Sequence, residues 1–335
     1  MSARPLPLRI LGTGEYRPVR ILDSREFDAR WGRSEGWTRR HAGVASRRVA
    51  GPDEAASAMA AAAARVALDR AGLAASELDA VLCANSVGEQ AIPCTAALVH
   101  RRLGLQDSGI TAYDVNATCL GFLVALDHAA LAIAAGRWKR VLIVAAEVAS
   151  AGLDPDDPDT APLFGDGAAA VVVDGGDGDG APALLAARLE TYSAGADFCQ
   201  VESGGTRIRI HEDPEAYVAG ARFRMQGKAT YRMAARLLPG FLERLFGDAG
   251  CALQDLAAFV PHQASAKALA HLEVALGLPA TKLVRVLEDR GNQMAASLPV
   301  ALNAAVEQGR LQRGDLVALV GSGAGLSFGG AVLRW

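Results

Sequence analysis

The sequence predicts an α/β protein built from two similar halves. Helical and strand patterns alternate along the 335 residues, with an alanine-rich helix at 57–71, an apolar strand at 78–83, a helix at 95–103 and a buried strand at 141–146. The run 174–180 contains only Gly and Asp, which do not hold regular structure, and it lies near the middle of the chain. We therefore expect one half at 1–174 and another at 181–335.

An internal repeat supports this division. Residues 76–82 and 254–260 each lead from a polar turn into an apolar strand, and a helix, a Gly-Arg pair and a strand recur around Gly136 and Gly309. Aligning these two glycines places Cys119 at Asn292, although the helices between the anchors then differ in length by about a turn. The alignment predicts that a pseudo-twofold axis brings Cys119 and Asn292 to one centre.

Composition narrows the class of protein. The chain is 51% hydrophobic and 21% charged with a formal net charge of -3, as in globular proteins with a large core, and it gives no electrostatic reason to expect a nucleic acid. Residues 1–9 lack the apolar segment of a secretory signal, and the longest apolar runs have strand length. We expect a cytoplasmic protein with no membrane span.

The cysteines do not form a metal site. Five of them lie at irregular spacing without a CxxC pair, so we expect reduced thiols and no bound metal. Most free cysteines are buried and inert, and we expect this of the four cysteines at positions 83, 94, 199 and 251.

Cys119 is the exception. It lies in the segment 113–122, where polar and small residues give way to a long apolar helix that extends to about residue 135. The dipole at the start of that helix is expected to favour the thiolate. Gly121 would allow a thioester to approach the sulfur closely. We therefore predict that Cys119 is a nucleophile.

Two other segments supply polar partners. His262 follows the apolar strand 256–260 and a proline, a position where α/β proteins carry functional side chains. Asn292 follows Gly291 and, considered alone, also fits a turn or cap residue. Cys, His and Asn on three separate strand or helix ends is an arrangement for acyl transfer through a thioester.

Three glycine-rich segments have simpler interpretations. The segment 321–325 (GSGAG) fits a bulged strand turn and equally fits exposed amides that stabilise an oxyanion. Gly12-Thr-Gly14 lacks the third glycine of a dinucleotide fingerprint, since Arg17 and then Pro18 follow, so no dinucleotide site is expected. Gly165-Asp-Gly167 precedes an apolar strand and fits a plain turn.

With these residues identified, the chain resembles the ketoacyl synthase III family of thiolase-superfamily condensing enzymes almost from end to end. The motifs that carry the resemblance are 11–18 (LGTGEYRP), 114–122 (DVNATCLGF), 164–168 (FGDGA), 260–264 (VPHQA), 291–292 (GN) and 329–335 (GGAVLRW). The resemblance implies a thiolase-like five-layer αβαβα sandwich of two pseudo-repeated halves, working as a homodimer. It implies no cofactor, with acyl-CoA or acyl-carrier-protein thioesters as substrates.

The resemblance also implies roles for the site residues. Cys119 would carry the acyl primer, and His262 and Asn292 would hydrogen-bond the thioester carbonyl of a malonyl-type extender while it loses carbon dioxide. The resulting enolate would attack the acyl group, whose oxyanion the amides of Cys119 and Ala324 would hold. The expected reaction is a decarboxylative Claisen condensation in fatty acid biosynthesis or a secondary pathway.

Several positions depart from the family pattern. Trp37 is present, but His41 and Pro158 stand where relatives that prime from coenzyme A place adenine-binding arginines. Lys267 replaces an arginine, and Ser322 replaces an aromatic residue. These departures leave open a different mode of coenzyme A binding or a carrier-protein donor.

Further binding residues are suggested by the same comparison. Ile92 matches a position that lines the acyl tunnel from the partner subunit, and it is smaller than the Phe of some relatives, so we expect a pocket that accepts more than acetyl. The segment 222–236 carries five basic residues. They form either a solvated helix face or, through Lys228 and Arg232, a surface that attracts an acidic carrier protein.

Two alternative functions remain at this point. An acyltransferase of the same lineage would pass the Cys119 acyl group to an alcohol or amine. A non-catalytic partner subunit would share the fold, but it would have no reason to keep Cys119, His262 and Asn292 together.

Overall fold

The computed structural model describes residues 4–176 and 180–335. Part of the predicted break, residues 177–179, lies outside the described residues, so the division of the chain at this run stays a prediction. In the described part of the chain the helices are α1 (Ser24–Arg30), α2 (Trp37–Ala42), α3 (Ala56–Ala71), α4 (Thr95–Arg102), α5 (Gly121–Ala134), α6 (Pro214–Gly220), α7 (Gly227–Ala249), α8 (Ala266–Leu276), α9 (Leu287–Arg290) and α10 (Ser297–Glu307).

The strands, again for the described residues, belong to two five-stranded sheets and two short hairpin-like pairs. They are β1 (Leu6–Pro7), β2 (Arg9–Tyr16), β3 (Arg20–Asp23), β4 (Ser46–Val49), β5 (Ala80–Ala84), β6 (Thr111–Val115), β7 (Arg140–Glu147), β8 (Gly167–Asp174), β9 (Ala183–Thr191), β10 (Cys199–Gln200), β11 (Arg224–Met225), β12 (Leu256–Pro261), β13 (Leu316–Gly323) and β14 (Ser327–Arg334).

The first large sheet has the order β2-β8-β7-β5-β6. Strand β5 runs parallel to β6 and β7, whereas β8 is antiparallel to both of its neighbours. The strands β5, β7 and β8 are buried along almost their whole length. This explains why they appear in the sequence as continuous apolar runs and not as alternating patterns.

The second large sheet has the order β1-β9-β14-β13-β12. Strand β12 is parallel to β13, and β13 and β14 form an antiparallel hairpin. The edge strand β1 comes from the start of the chain and pairs Leu6 with Leu184. Residues 6–7, which the sequence-based division gives to the first half, therefore hydrogen-bond to the second sheet.

Helices separate and cover the two sheets. Helices α5 and α10 lie between them, because one buried apolar cluster contains residues of both helices and of both sheets. A second cluster joins the outer face of the first sheet to α3 and α4, and a third joins the outer face of the second sheet to α7. This confirms the five-layer αβαβα sandwich that the family resemblance implied.

The paired glycines of β2 are explained by packing. A Cβ at Gly12 would lie 2.2 Å from the carbonyl oxygen of Ala67, and a Cβ at Gly14 would lie 2.3 Å from that of Ala63. Helix α3 therefore packs directly on the backbone of β2, which only glycine permits. This agrees with the expectation that Gly12-Thr-Gly14 is not part of a dinucleotide site.

The two halves correspond at a constant separation of 176 residues around the centre of the molecule. Helix α5 begins at Gly121 and α10 at Ser297, and β7 and β13 begin at Arg140 and Leu316. The sequence-based alignment of Cys119 with Asn292 is therefore wrong by three residues. Helix α10 has 11 residues and α5 has 14, so α10 is shorter by about one turn. The two helices correspond at their first residues, and the difference in length therefore lies towards their ends.

Candidate active site

Cys119 lies in a tight turn between β6 and α5. The amide of Leu120 donates to the carbonyl of Ala117 at 3.1 Å, and that of Gly121 donates to the carbonyl of Thr118 at 3.0 Å. Thr118 has a left-handed φ of 49°, which is rare for a β-branched residue. The sulfur is thus carried two residues before the first residue of the helix, on a strained turn.

The environment of the Cys119 sulfur favours the thiol. The side chain is half-buried, and this burial raises the pKa of Cys119 to about 12, with the Glu147 carboxylate adding to the rise and the Cys119 amide opposing it. The expectation that the helix start would favour the thiolate is therefore wrong for the resting site, because desolvation outweighs it. The nucleophile must lose a proton when the substrate arrives.

His262 follows the last residue of β12, and its amide donates to the carbonyl of Val320 at 2.7 Å. The residue is 5% exposed, and burial lowers the pKa of its imidazole to about 4. Among the described residues Nδ1 has no hydrogen-bond partner. The ring is thus neutral at physiological pH and can accept a proton or donate one hydrogen bond.

Asn292 is held in one orientation. Its Oδ1 accepts the amide of Met294 at 2.9 Å, and its Nδ2 donates to the carbonyl of Ala264, two residues after His262, at 3.3 Å. Met294 has a left-handed φ of 48°. With the oxygen engaged and one amide proton bonded to Ala264, the second amide proton remains available to a substrate oxygen.

The hairpin of β13 and β14 joins these segments. A Cβ at Gly321 would lie 3.1 Å from the Cβ of His262 and 3.1 Å from Cδ2 of Leu120, the residue after Cys119. A Cβ at Gly323 would lie 2.6 Å from Oγ1 of Thr118. The glycines thus allow the hairpin to touch both segments, and Ala324, half-buried, follows in its turn.

Glu147, at the end of β7, is a site residue that sequence reasoning missed. Its side chain is 1% exposed, and its Oε1 accepts the amides of Ser86 at 2.6 Å and Ala295 at 3.3 Å. Burial raises the pKa of this carboxyl group to about 7. The only signal in the sequence was a single acid at the end of an apolar strand.

The segment Gly165-Asp-Gly167 is not a plain turn. The amide of Gly165 donates to the carbonyl of Asn292 at 3.1 Å, and that of Asn292 donates to Leu163 at 2.9 Å. Asp166 is fully buried and accepts the amides of Ala50 and Ser150, each at 2.8 Å. The segment therefore holds Asn292 in place, which corrects the sequence-based interpretation.

A cavity of about 490 Å³ lies beside the candidate site and is lined by Glu147 and Met294, whereas Cys119, His262 and Asn292 are not part of its lining. Its lining is mostly apolar and includes Val87, Glu147, Leu153, Phe164, Phe223 and Met294. Ile92 is not part of this lining and is 85% exposed. Its predicted place in an acyl tunnel depends on a partner subunit and stays a prediction.

The ring of Trp37 is covered by its own neighbours. His41 stacks on it with ring centroids 4.7 Å apart and an interplanar angle of 12°, and the guanidinium of Arg33 lies 4.9 Å from its centroid. His41 is held in turn by Asp159, with Nε2 and Oδ1 2.9 Å apart. A planar ligand that stacks on a face covered by one of these groups would have to displace it.

The predicted basic surface is present on α7 and α8. Lys228 and Arg232 are exposed on α7, Arg236 follows one turn later, and Lys267 is exposed at the start of α8. Tyr231 and His271 join the two helices with an edge contact at 5.6 Å. We refer to Lys228, Arg232, Arg236 and Lys267 as the basic face.

Two kinds of feature are absent from the described residues. No helix combines the length and the apolar character needed to cross a bilayer. In the same ranges, no group of three or more His, Cys, Asp or Glu residues is placed to bind a metal ion.

Comparison with known proteins identifies relatives along the whole chain. Residues 113–193 match the profile described as 3-oxoacyl-[acyl-carrier-protein] synthase III, and residues 246–335 match the profile of its C-terminal part. The β-ketoacyl-[acyl-carrier-protein] synthase III of Syntrophomonas wolfei is 35% identical over 333 residues, which cover 98% of each chain.

Solved structures give the same result. The 3-oxoacyl-(acyl carrier protein) synthase III of Pseudomonas aeruginosa superposes with a TM-score of 0.88 at 35% identity, covering 98% of both chains. A priming β-ketosynthase from a polyketide biosynthetic pathway superposes with a TM-score of 0.87 at 34% identity, covering 99% of this chain and 98% of that one.

Proposed function

This chain belongs to the 3-oxoacyl-[acyl-carrier-protein] synthase III family of condensing enzymes, and we propose that it loads an acyl primer on Cys119 and condenses it with a malonyl-type thioester. The observation that carries the proposal is the meeting of three segments, which carry a thiol, a neutral imidazole and an oriented carboxamide. Glu147 and Met294, which belong to the surroundings of these groups, line an apolar cavity beside them. In this proposal the enzyme acts as an acyltransferase.

Acylation begins from a protonated thiol. The Cys119 proton leaves as the sulfur attacks the donor thioester, and the neutral imidazole of His262 is the base proposed to accept it. The donor's C–S bond then breaks, and its thiolate takes the proton from His262. The amides of Cys119 and Ala324 are proposed to stabilise the oxyanion that forms on the acyl group.

Condensation uses the two side-chain donors. An N–H of neutral His262 and the second amide proton of Asn292 would bond to the thioester oxygen of the malonyl group, where negative charge develops as carbon dioxide leaves. One fixed donor of this kind is typically worth about 3 kcal/mol of barrier. The enolate carbon attacks the Cys119 acyl carbonyl, the C–S bond to Cys119 breaks, and the released thiolate takes a proton from solvent to restore the resting thiol.

A carrier protein is the donor that the surface favours over coenzyme A. His41 and Arg33 already cover the ring of Trp37, which weakens adenine stacking there. The basic face instead offers exposed cations, and Lys228 and Arg232 have no ion-pair partner within the described residues. Such a face suits the acidic surface of a carrier protein.

The cavity supports primers longer than acetyl, because its volume of about 490 Å³ and apolar lining suit an alkyl chain. The working unit is proposed to be a homodimer. Val87 lines the cavity and is 61% exposed, and Ile92 is 85% exposed, so apolar side chains beside the cavity remain open for a second subunit to cover. Cytoplasmic location stays a prediction.

Intact-mass measurement tests the reaction. The protein is incubated with acetyl, octanoyl and longer donors on coenzyme A and on carrier protein, and is then chased with malonyl thioester. We expect an acyl adduct that is absent in Cys119→Ala and is discharged by the chase with release of carbon dioxide. An adduct that only an alcohol or amine discharges would support the acyltransferase alternative, and no adduct with any donor would contradict both.

A further inference from the structure

A second cavity lies behind the wall of the first. It has a volume of about 290 Å³ and lies between the β3–β4 pair, α1 and the loop that precedes β8. Three arginines, Arg20, Arg30 and Arg47, line it, against one acid, Glu26. Leu153 and Phe164 line this cavity and the larger one, so these two residues form a wall that the cavities share.

Arg47 is the unusual member of this set. The residue is 1% exposed, yet in the described part of the chain its Nε and Nη1 have no hydrogen-bond partner. Its Nη2 makes one long contact of 3.4 Å to the hydroxyl of Ser24, which donates its own proton to the carbonyl of Val44 at 2.6 Å. The guanidinium also lies over the ring of Phe27, 4.6 Å from the centroid.

The nearby acids do not pair with Arg47. Asp23 directs both carboxylate oxygens to Arg25, at 2.9 and 2.8 Å, and Oε1 of Glu26 accepts the amide of Asp23 at 3.0 Å. Burial lowers the pKa of Arg47 only to about 10, so the group is still charged at neutral pH. An unpaired charge in such a position is costly unless a counter-ion compensates it.

We propose that this cavity, which we call the arginine cavity, binds a small oxyanion of the phosphate or carboxylate type. The fork of Arg47 would hold two of its oxygens, with Arg20 and Arg30 at the entrance. Planar guanidinium groups match phosphate and carboxylate in this bidentate manner. Arg30 is partly engaged by Asp156 at 2.9 Å, whereas Arg20 has no ion-pair partner within residues 4–176 and 180–335.

The arginine cavity is structurally connected to the candidate active site. Phe164, which forms part of the shared wall, is flanked by Leu163 and Gly165, which exchange backbone hydrogen bonds with Asn292. A bound anion would therefore stabilise the segment that positions Asn292. The site itself does not depend on the proposed condensation, so either proposal can fail without the other.

Calorimetric titration with inorganic phosphate, and separately with malonate, tests the proposal at constant ionic strength with chloride as the reference. We expect saturable binding of one anion per chain. Arg20→Gln should weaken the binding about tenfold, and Arg47→Met should abolish it. A hydrogen bond to a charged group is typically worth about a tenfold change in affinity or more. Arg101→Gln, which removes an exposed arginine on α4, should bind as the unchanged protein does.

Thermal unfolding gives a second measurement, since an anion that binds only the folded state raises the midpoint with its concentration. If Arg47→Met does not fold, Arg20→Gln and Arg47→Lys provide the comparison, and both are expected to bind more weakly. The proposal would be overturned if the titration showed no saturable heat beyond that of the chloride reference. It would also be overturned if Arg20→Gln bound the anion as tightly as the unchanged protein, and water would then be the partner of Arg47. A response to phosphate alone would assign the site to phosphate, and a response to malonate alone to carboxylates.

Discussion

Asn116 and Asn292 make the same turn in the two halves of the molecule. Each side-chain oxygen accepts the amide two residues further on, from Thr118 at 3.1 Å and from Met294 at 2.9 Å. Thr118 and Met294 are also the two non-glycine residues with positive φ in the described chain, at 49° and 48°. The repeat therefore relates Asn292 to Asn116, and Cys119 to Ala295.

This relationship provides a matched pair of variants. Asn292→Asp keeps the oxygen that accepts the Met294 amide but removes the Nδ2 donor, so malonyl decarboxylation is expected to fall by about 100-fold or more while acylation of Cys119 continues. Asn116→Asp makes the same change in the other half and should leave decarboxylation within a few-fold. Equal losses in both variants, measured by carbon dioxide release, would refute the assigned role of Asn292.

Glu147→Gln should make Cys119 more reactive in a pH-dependent way. The Glu147 carboxylate raises the pKa of the thiol, and its own pKa is about 7, so the charge is largely absent below that pH. Iodoacetamide alkylation should therefore be similar in the two proteins below pH 7 and faster in the variant above it. Glu243→Gln, an exposed change on α7, is the control. Coincident profiles up to pH 9 would rule out this coupling.

Neutral His262 should make the fold sensitive to acid. Its pKa is about 4 in the folded protein and about 6.5 when unfolded, so the unfolded chain binds the extra proton first. The contribution of His262 to the free energy of unfolding is fully present above about pH 6.5. It falls by about 3 kcal/mol as the pH drops towards 4. His262→Asn should lack this component in urea unfolding at pH 7.5 and 4.5, whereas His211→Asn, an exposed change, should keep it.

Gly323→Ala should misplace the nucleophile. The new Cβ would lie 2.6 Å from Oγ1 of Thr118, so either the Thr118 side chain or the turn that carries Cys119 must shift. We expect the acylation rate to fall about tenfold or more, since even a small displacement of a reacting group lowers the rate strongly. Thr118→Ala removes the clashing oxygen and should restore part of the rate in the double variant. An acylation rate unchanged by Gly323→Ala would show that the hairpin does not position Cys119.

Arg232→Glu should weaken the use of a carrier-protein donor. Reversing one charge of the basic face is expected to lower kcat/KM for that donor about tenfold at low salt, and the difference should vanish near 0.5 M salt as screening increases. Acyl-pantetheine, which lacks the protein, serves as the control donor and should be unaffected. A loss that is the same with both donors, or independent of salt, would indicate a change in the site itself.

The sequence predicted those parts of the site that depend on local pattern. The alternation of helix and strand patterns predicted an α/β fold of two halves. Cys119, His262 and Asn292 lie at the ends of elements, where the pattern changes. The structure places the segments of Cys119 and His262 against one hairpin and hydrogen-bonds Asn292 to Ala264, contacts that did not follow from the sequence.

Other features depend on contacts between distant segments. The thiol state of Cys119 is set by burial and by Glu147, which lies 28 residues further along the chain, so the helix start alone gave the wrong direction. The error in the repeat alignment arose because Gly136 and Gly309 end helices of different length. The sequence did not indicate the role of Asp166, because the residues that donate to it, Ala50 and Ser150, belong to other parts of the chain.

The first described strand has a consequence for the order of assembly. Leu6 and Pro7 pair with Leu184 and Ala183, so the opening residues of the chain complete the rim of a sheet whose other strands are all synthesised much later. During synthesis this segment cannot form its pairing with β9 until residues 183 and 184 have been made. Pairing of β1 with β9 therefore follows the synthesis of every element of the first sheet and joins residues 6–7 to the second sheet.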